Sequence, residues 1–130
     1  MKNLRKFLFS VLLAFVATFL PSCGEKKEVK PVAIVCESAE EGDTLLTLMD
    51  KLVEDGSLKY EMSDGMILSI NGTANGTNSY WMLYTSDEEN SNADWGTYSY
   101  EGQTLGSATL GASELPVAAG EVYVWVYQSF

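Results

Sequence analysis

The stretch Asn78-Ser79-Tyr80-Trp81-Met82-Leu83-Tyr84-Thr85 constrains the fold more than any other part of this chain. It is the densest aromatic run, and its order has the period of two that belongs to a β-strand. Tyr80, Met82 and Tyr84 fall on one face, and Trp81, Leu83 and Thr85 on the other. A strand with large apolar groups on both faces is a central strand. It needs a helix over one side and a partner, a ligand or long loops over the other.

The flanking segments supply those covers. Val32-Ala33-Ile34-Val35-Cys36 reads as a strand after Pro31. A polar link from Glu37 to Gly42 follows, and Asp43 or Thr44 is placed to cap a helix. Leu45, Leu48, Met49, Leu52 and Val53 then form one apolar stripe at helical spacing, and Gly56 is a natural stop. Leu58, Tyr60 and Met62 alternate with Lys59 and Glu61, which predicts a half-buried strand. Asp64-Gly65 predicts a tight turn into Met66–Ile70. Asn71-Gly72-Thr73 and Asn75-Gly76-Thr77 form a tandem that matches glycosylation acceptors; two tight turns are the plainer reading.

Beyond the central strand, residues 86–96 read as a long polar loop. Its carboxylates lack the alternating ligands, central glycine and distal glutamate of a calcium loop, so the expectation is a solvated acidic loop without a metal. Trp95 either tucks onto the core or lines a site at the loop tip. Thr97–Tyr100 alternates, Glu101-Gly102 turns, and Gln103–Leu105 returns. In the small-residue run 106–114, Leu110 is the expected tether to the core. The last strand, Val122–Tyr127, alternates valine with aromatics, and the expectation is valines inward and aromatics outward or against loops. Strand, helix and several strands make an α+β fold: a single helix packed on a mostly antiparallel or mixed sheet, β-grasp-like.

Composition narrows the function. Eighteen acidic residues face eight basic ones, a net charge of −10. Without Lys2, Arg5 and Lys6 at the N-terminus the balance falls to −13, which repels nucleic acid and anionic headgroups. The chain has no histidine, no metal-ligand cluster, no paired carboxylates and no phosphate-binding glycine loop. It therefore reads as a binding domain and not as an enzyme.

The N-terminus directs export. Three basic residues precede an apolar run from Phe7 to Leu20, shorter than the about 20 residues that cross a bilayer. Leu20-Pro21-Ser22-Cys23 resembles the lipobox of bacterial lipoproteins, in which the cysteine carries the lipid and becomes the first mature residue. The alternative is an ordinary signal peptide or an uncleaved anchor. The resemblance implies a signal peptide over residues 1–22, a lipid-anchored tether over 23–30 and a domain over 31–130, held at the outer side of a bacterial membrane. Cys36 is then the one remaining thiol and reads as a small buried apolar residue.

Five segments together resemble the C-terminal domain of transcobalamin and intrinsic factor, over about residues 42–127. They are Gly42–Met49, Ile67–Gly72, Tyr80-Trp81-Met82-Leu83, Trp95-Gly96-Thr97-Tyr98, and Ala119-Gly120-Glu121 with the strand after it. In the carriers this domain closes over cobalamin, which lies against a large helical barrel; here the barrel is absent. The resemblance implies cobalamin or a related corrinoid as ligand, near Trp81, Leu83, Trp95 and Tyr98, with a transporter or second envelope protein completing the site. The alternative is a protein-interaction or display module of the same fold that binds no corrinoid.

Overall fold

The structure, a computed structural model, describes residues 29–130. The expected signal segment, Cys23 and the tether through residue 28 lie outside the described residues. The fold is α+β, as its element order predicts. Strand β1 (Val32–Val35) leads to helix α1 (Leu45–Glu54). Strands β2 (Tyr60–Ser63), β3 (Met66–Ile70), β4 (Thr73–Ala74) and β5 (Ser79–Thr85) follow. A 3-10 turn at Glu88–Asn90 precedes β6 (Ser91–Tyr100), β7 (Gln103–Ala108) and β8 (Val122–Ser129). The strands divide between two sheets, a five-stranded one in the order β1-β8-β5-β7-β6 and a three-stranded one in the order β2-β3-β4. Every pairing among the described residues is antiparallel. The aromatic strand β5 is indeed central.

Helix α1 forms where its apolar stripe predicts. Thr44 is its N-cap, and the Thr44 backbone N–H donates to Thr47 Oγ1 at 3.1 Å. At the other end Gly56 N–H bonds the Val53 carbonyl and Ser57 N–H the Leu52 carbonyl, a Schellman stop. Leu45 and Met49 are fully buried, each contributing roughly 1.5–3 kcal/mol of apolar burial. The free N–H groups of the first turn are met by a loop: Leu45 N–H bonds Leu115 O and Leu46 N–H bonds Ala112 O, both at 2.9 Å. This ties the segment between β7 and β8 to the helix.

One core lies on a single face of the five-stranded sheet. It joins Ile34 and Cys36, the helix residues Leu45 and Met49, Ile67 and Ile70 of β3, Trp81 and Leu83 of β5, and Tyr123 and Trp125 of β8. The helix and the small sheet thus cover the same side. The aromatic residues of β8 therefore point inward, against the expectation that valines would. Register explains it: Trp125 lies between Val32 of β1 and Leu83 of β5, and Tyr123 between Ile34 and Thr85. Flanked on both sides by strands whose large apolar residues share that face, the β8 aromatics have no exposed side to occupy.

The opposite face has its own smaller cluster: Tyr84, Leu105 and Val124, with Met82, Tyr98, Tyr100, Val122 and Val126 half-buried around them. Its cover comes from the segment read as a long loop. That segment is mostly strand: β6 begins at Ser91, and its register against β7 jumps between Asn92 and Thr97. The extra residues bulge outward. Gly96 sits on the bulge at φ +144°, and a Cβ there would lie 3.7 Å from the Tyr84 hydroxyl.

Three further expectations change. Leu110 is partly exposed, and the core tethers of its segment are Ala112 and Leu115. The two Asn-Gly pairs differ: Asn71-Gly72 turns with both residues at positive φ, whereas Asn75-Gly76 is not such a turn. Val29, at the end of the expected tether, packs against the core. Cys36 is buried as expected, and burial, with Asp43 adding to it, pushes its thiol pKa up.

Candidate functional site

Strand β5 is paired along its whole length with β8, from Ser79 to Thr85. On its other side it meets β7 only at Tyr84 and Thr85. Beyond that point the two strands part, because β7 runs on into the loop that caps α1. A cleft of about 430 Å³ opens in the gap. One wall is residues 80–83 of β5, the other is residues 107–112, the hairpin tip Gly65–Ile67 closes a third side, and Trp125 of β8 contributes from the sheet.

Asn75, the residue just after β4, holds the parted strand in place. Asn75 Oδ1 accepts the Trp81 backbone N–H at 3.0 Å, while Asn75 Nδ2 donates to the Ile67 carbonyl at 2.8 Å. One amide therefore takes the position of a missing ladder partner and fastens β3 to β5. The indole of Trp81 adds to the clip: its Nε1–H donates to the Thr73 carbonyl at 2.8 Å, and its ring lies 5.2 Å from that of Tyr127. Tyr127 in turn donates its hydroxyl to the Ala74 carbonyl at 2.8 Å.

The chemistry of the cleft is unusual for so acidic a chain. No residue charged at neutral pH lines it. Its mouth is apolar and open to solvent at Met66, Tyr80 and Leu110. Inside are Trp81, Leu83 and Ala112, with Ser107 as a buried hydroxyl-bearing residue. Trp125 is only 5 % exposed, and its Nε1–H is the one buried side-chain polar atom among the described residues that meets no hydrogen-bond partner. The two indoles that line the cleft thus differ: the N–H of Trp81 has an acceptor within the protein and that of Trp125 has none.

Of the four residues expected near a ligand, the structure brings two together. Trp81 and Leu83 share the cleft wall. Tyr98 lies on the opposite face of the sheet, its ring 5.7 Å from that of Tyr84. Trp95 stands on the β6 bulge, 64 % exposed. Residues 107–112, Asn75 and Trp125 complete the cleft and were not anticipated. The second copy of the Asn-Gly-Thr tandem was a signal for Asn75, but it reads equally well as a turn. Nothing in the local pattern of β8 marks Trp125.

The acidic segment makes no comparable site. Asp87 uses its carboxylate locally, accepting from Glu89 N–H at 3.1 Å and from Asn90 Nδ2 at 2.8 Å. Among the described residues no group of three or more acidic, cysteine or histidine side chains is arranged to hold a metal ion. Among them, too, no helix is long and apolar enough to cross a membrane. Comparison with known protein families, with curated proteins and with solved structures finds no match to this chain.

Proposed function

We propose that this chain is a lipid-anchored, extracytoplasmic ligand-binding domain of the transcobalamin C-terminal type, which takes cobalamin or a related corrinoid together with a second envelope protein. The observation that carries this reading is the uncharged cleft beside β5, because Trp81 and Leu83 from the resembling aromatic-tryptophan-x-leucine stretch both line it. A cavity of about 430 Å³ lies within the range of small-molecule sites. It is too small to enclose a corrin ring with its amide arms. The ring would lie across the apolar mouth, over Met66, Tyr80 and Leu110, and leave its outer face to the partner. The lack of charged groups in the lining favours binding over acid–base or nucleophilic chemistry. With Val29 packed on the core, a tether of residues 24–28 after Cys23 would reach at most ~20 Å, which keeps the domain beside other membrane components.

The test is a titration of the full chain in detergent with cyanocobalamin, followed by tryptophan fluorescence and calorimetry. Saturable one-to-one binding, weakened by Met66→Asp and unchanged by Trp95→Ala, is the expected result. No binding at high micromolar ligand, with or without envelope extract, refutes the corrinoid reading. The anchor is tested separately: Cys23→Ala should release the protein from membranes, and a variant that stays membrane-bound would sink that assignment.

One observation favours a second reading, a protein-interaction module. Trp95 is an exposed tryptophan on a bulge, away from the cleft, and tryptophan is enriched at interface hot spots. A stable partner captured without corrinoid, and lost in Trp95→Ala, would support it.

A further inference from the structure

We propose that the chain pairs with a second copy of itself through strand β1, edge to edge and antiparallel, about a two-fold axis at Ile34. The pairing joins two five-stranded sheets into one. No residue of β1 lines the cleft beside β5, so the proposal stands apart from the ligand.

The first observation is that the two edges of the large sheet are built differently. They are β1 and β6. An edge strand offers unpaired N–H and C=O groups, and folded proteins blunt such edges with charges, prolines and bulges. Strand β6 is blunted in this way: its register breaks between Asn92 and Thr97, and Asp94 lies in the break. Strand β1 is not. Its run Val32-Ala33-Ile34-Val35 holds no charged residue, and its register against β8 is unbroken. Pro31 stands just before the strand, where it ends a ladder without blocking one.

The second observation is the direction of the main-chain groups. Cys36 N–H bonds the Glu121 carbonyl at 3.0 Å, and Gly120 N–H bonds the Cys36 carbonyl at 2.8 Å. Alternation along an antiparallel strand then turns Ile34 and Val32 toward β8 as well. Ala33 and Val35 turn their N–H and C=O groups to the open edge, where no strand pairs with them among the described residues. An axis at Ile34 sets Ala33 opposite the second copy's Val35, and Val35 opposite the second copy's Ala33. Both members of each pair offer a donor and an acceptor to the same gap. Other symmetric registers are poorer. An axis at Ala33 sets Val35 against Pro31, which has no N–H. An axis at Val35 sets Ala33 against Glu37, beyond the end of the strand.

The third observation is what the side chains gain. Ile34 faces the core, so Val35 faces outward, and it is 55 % exposed. The pairing lays the second copy's Ala33 beside it. On the core side, a groove of about 340 Å³ runs between β1 and α1. Ile34, Leu48 and Leu52 line it, with one charge of each sign, Lys51 and Glu37. The axis brings two such grooves together, the self-complementary arrangement of a two-fold interface. Charge also favours this edge over the rest of the surface. The chain carries a net charge of −10 and repels its own kind. Yet residues 29–130 hold only three basic residues, and two of them, Lys30 and Lys51, flank β1. The register brings Lys30 next to the second copy's Glu37. Such exposed pairs add little strength and help to fix which register forms.

The experiment uses the full chain in detergent, with the detergent matched out by solvent density. Sedimentation equilibrium at tens of micromolar is expected to give the mass of two chains. Ala33→Pro removes an N–H at the open edge and no bond to β8. It should give the mass of one chain with a native circular-dichroism spectrum. Should the proline disturb β1, Val35→Lys serves instead: it changes an exposed side chain and puts like charges near the axis. Trp95→Ala, at the other edge, should keep the mass of two chains. Cross-linking reads the register. Chains with Ala33→Cys mixed with chains with Val35→Cys should form a disulfide-linked dimer on oxidation. Facing residues of a hydrogen-bonded pair have Cα atoms about 5.5 Å apart, which a disulfide spans. Either variant alone should cross-link several-fold less, since identical residues then lie more than about 7 Å apart.

A parent with the mass of one chain overturns the proposal. So does a folded Ala33→Pro or Val35→Lys variant that keeps the mass of two. Equal cross-linking in the mixed and single samples overturns the register and the two-fold axis with it. Slow hydrogen exchange at the Ala33 and Val35 amides of a one-chain parent would show that another part of the same chain covers the edge. That outcome, too, excludes the second copy as its occupant.

Discussion

The two ends of β5 are built from the same kinds of residue and meet different surroundings. At Tyr84 and Thr85 the strand has β8 on one side and β7 on the other. Tyr84 donates its hydroxyl to Gln128 Oε1 at 2.5 Å, stacks near Tyr98 and lies under the Gly96 bulge. This end is closed. From Ser79 to Leu83, β8 remains but β7 has left, and the side chain of Asn75 takes over where a strand would pair. This end is open, and the cleft lies along it. A sheet can therefore be parted locally without losing the strand, provided that a side chain supplies the missing bond and apolar residues still bury one face.

The largest expected effect tests whether the open end carries stability as well as a ligand surface. Trp81→Ala removes a buried indole, its bond to Thr73 and its contact with Tyr127. A loss of about 3–5 kcal/mol is expected in urea denaturation. A loss below about 1 kcal/mol would mean that the cleft wall is not core, and the contrast between the ends would then be one of stability too.

Asn75→Ala comes next, and it separates the ends more cleanly. It removes two hydrogen bonds, to Trp81 N–H and Ile67 O, and leaves a buried-strand donor without its acceptor. About 2 kcal/mol should be lost, and cyanocobalamin binding at the cleft should weaken with it. Tyr84→Phe, at the closed end, should cost about 1 kcal/mol with cyanocobalamin affinity unchanged. Equal effects of the two variants on binding would show that the ends are coupled.

Gly96→Ala probes the roof of the closed end. Steric contact is not the issue, since the added Cβ finds ordinary room beside Tyr84. The backbone is: φ of +144° is a region that residues with a side chain rarely adopt. A loss of roughly 1–2 kcal/mol is expected from denaturant titration, together with increased exposure of the tyrosines around Tyr84 to fluorescence quenchers. Stability equal to the parent would show that the bulge rearranges freely and does not seal this face.

What could be read from the chain follows a physical line. Elements held by local order were legible: the Leu45–Met49 stripe, its stop at Gly56, the turn at Asp64-Gly65 and the central place of β5. The α+β class followed from their order. Choices set by distant neighbours were not. Period two shows that β8 has a valine face and an aromatic face, but only its flanking strands β1 and β5 decide which is inside. Leu110 is the one large apolar residue of the run 106–114, yet Ala112 and Leu115 are the buried ones, because the loop must present carbonyl groups to the first turn of α1. The site was half legible for the same reason. Trp81 and Leu83 are neighbours on one strand face. Tyr98 and Trp95 are linked to them only by order along the chain, and the sheet lies between Tyr98 and that face.

The smallest effect concerns the wall of the cleft that belongs to neither end. The hairpin tip Gly65–Ile67 is carried by β2 and β3, and Tyr60 of β2 donates its hydroxyl to Asp50 of α1. Burial, and then the Asp50 carboxylate, push the Tyr60 phenol up to about 12 from the ordinary value of 10.0. A phenol whose pKa rises on folding stabilises the native state while it stays protonated. That contribution is complete below pH 10 and fades as the pH climbs toward 12. Denaturation midpoints measured between pH 9 and pH 12 should therefore fall with rising pH. Tyr123 shares the trend, since burial raises its phenol too, so the parent slope alone does not single out Tyr60. Tyr60→Phe does: it should be slightly less stable than the parent at pH 9 and should lose less on going to pH 12. If the slopes coincide, the Tyr60–Asp50 bond does not hold the hairpin to the helix. The third wall of the cleft would then be held by the Asn75, Trp81 and Tyr127 bonds that join the two sheets.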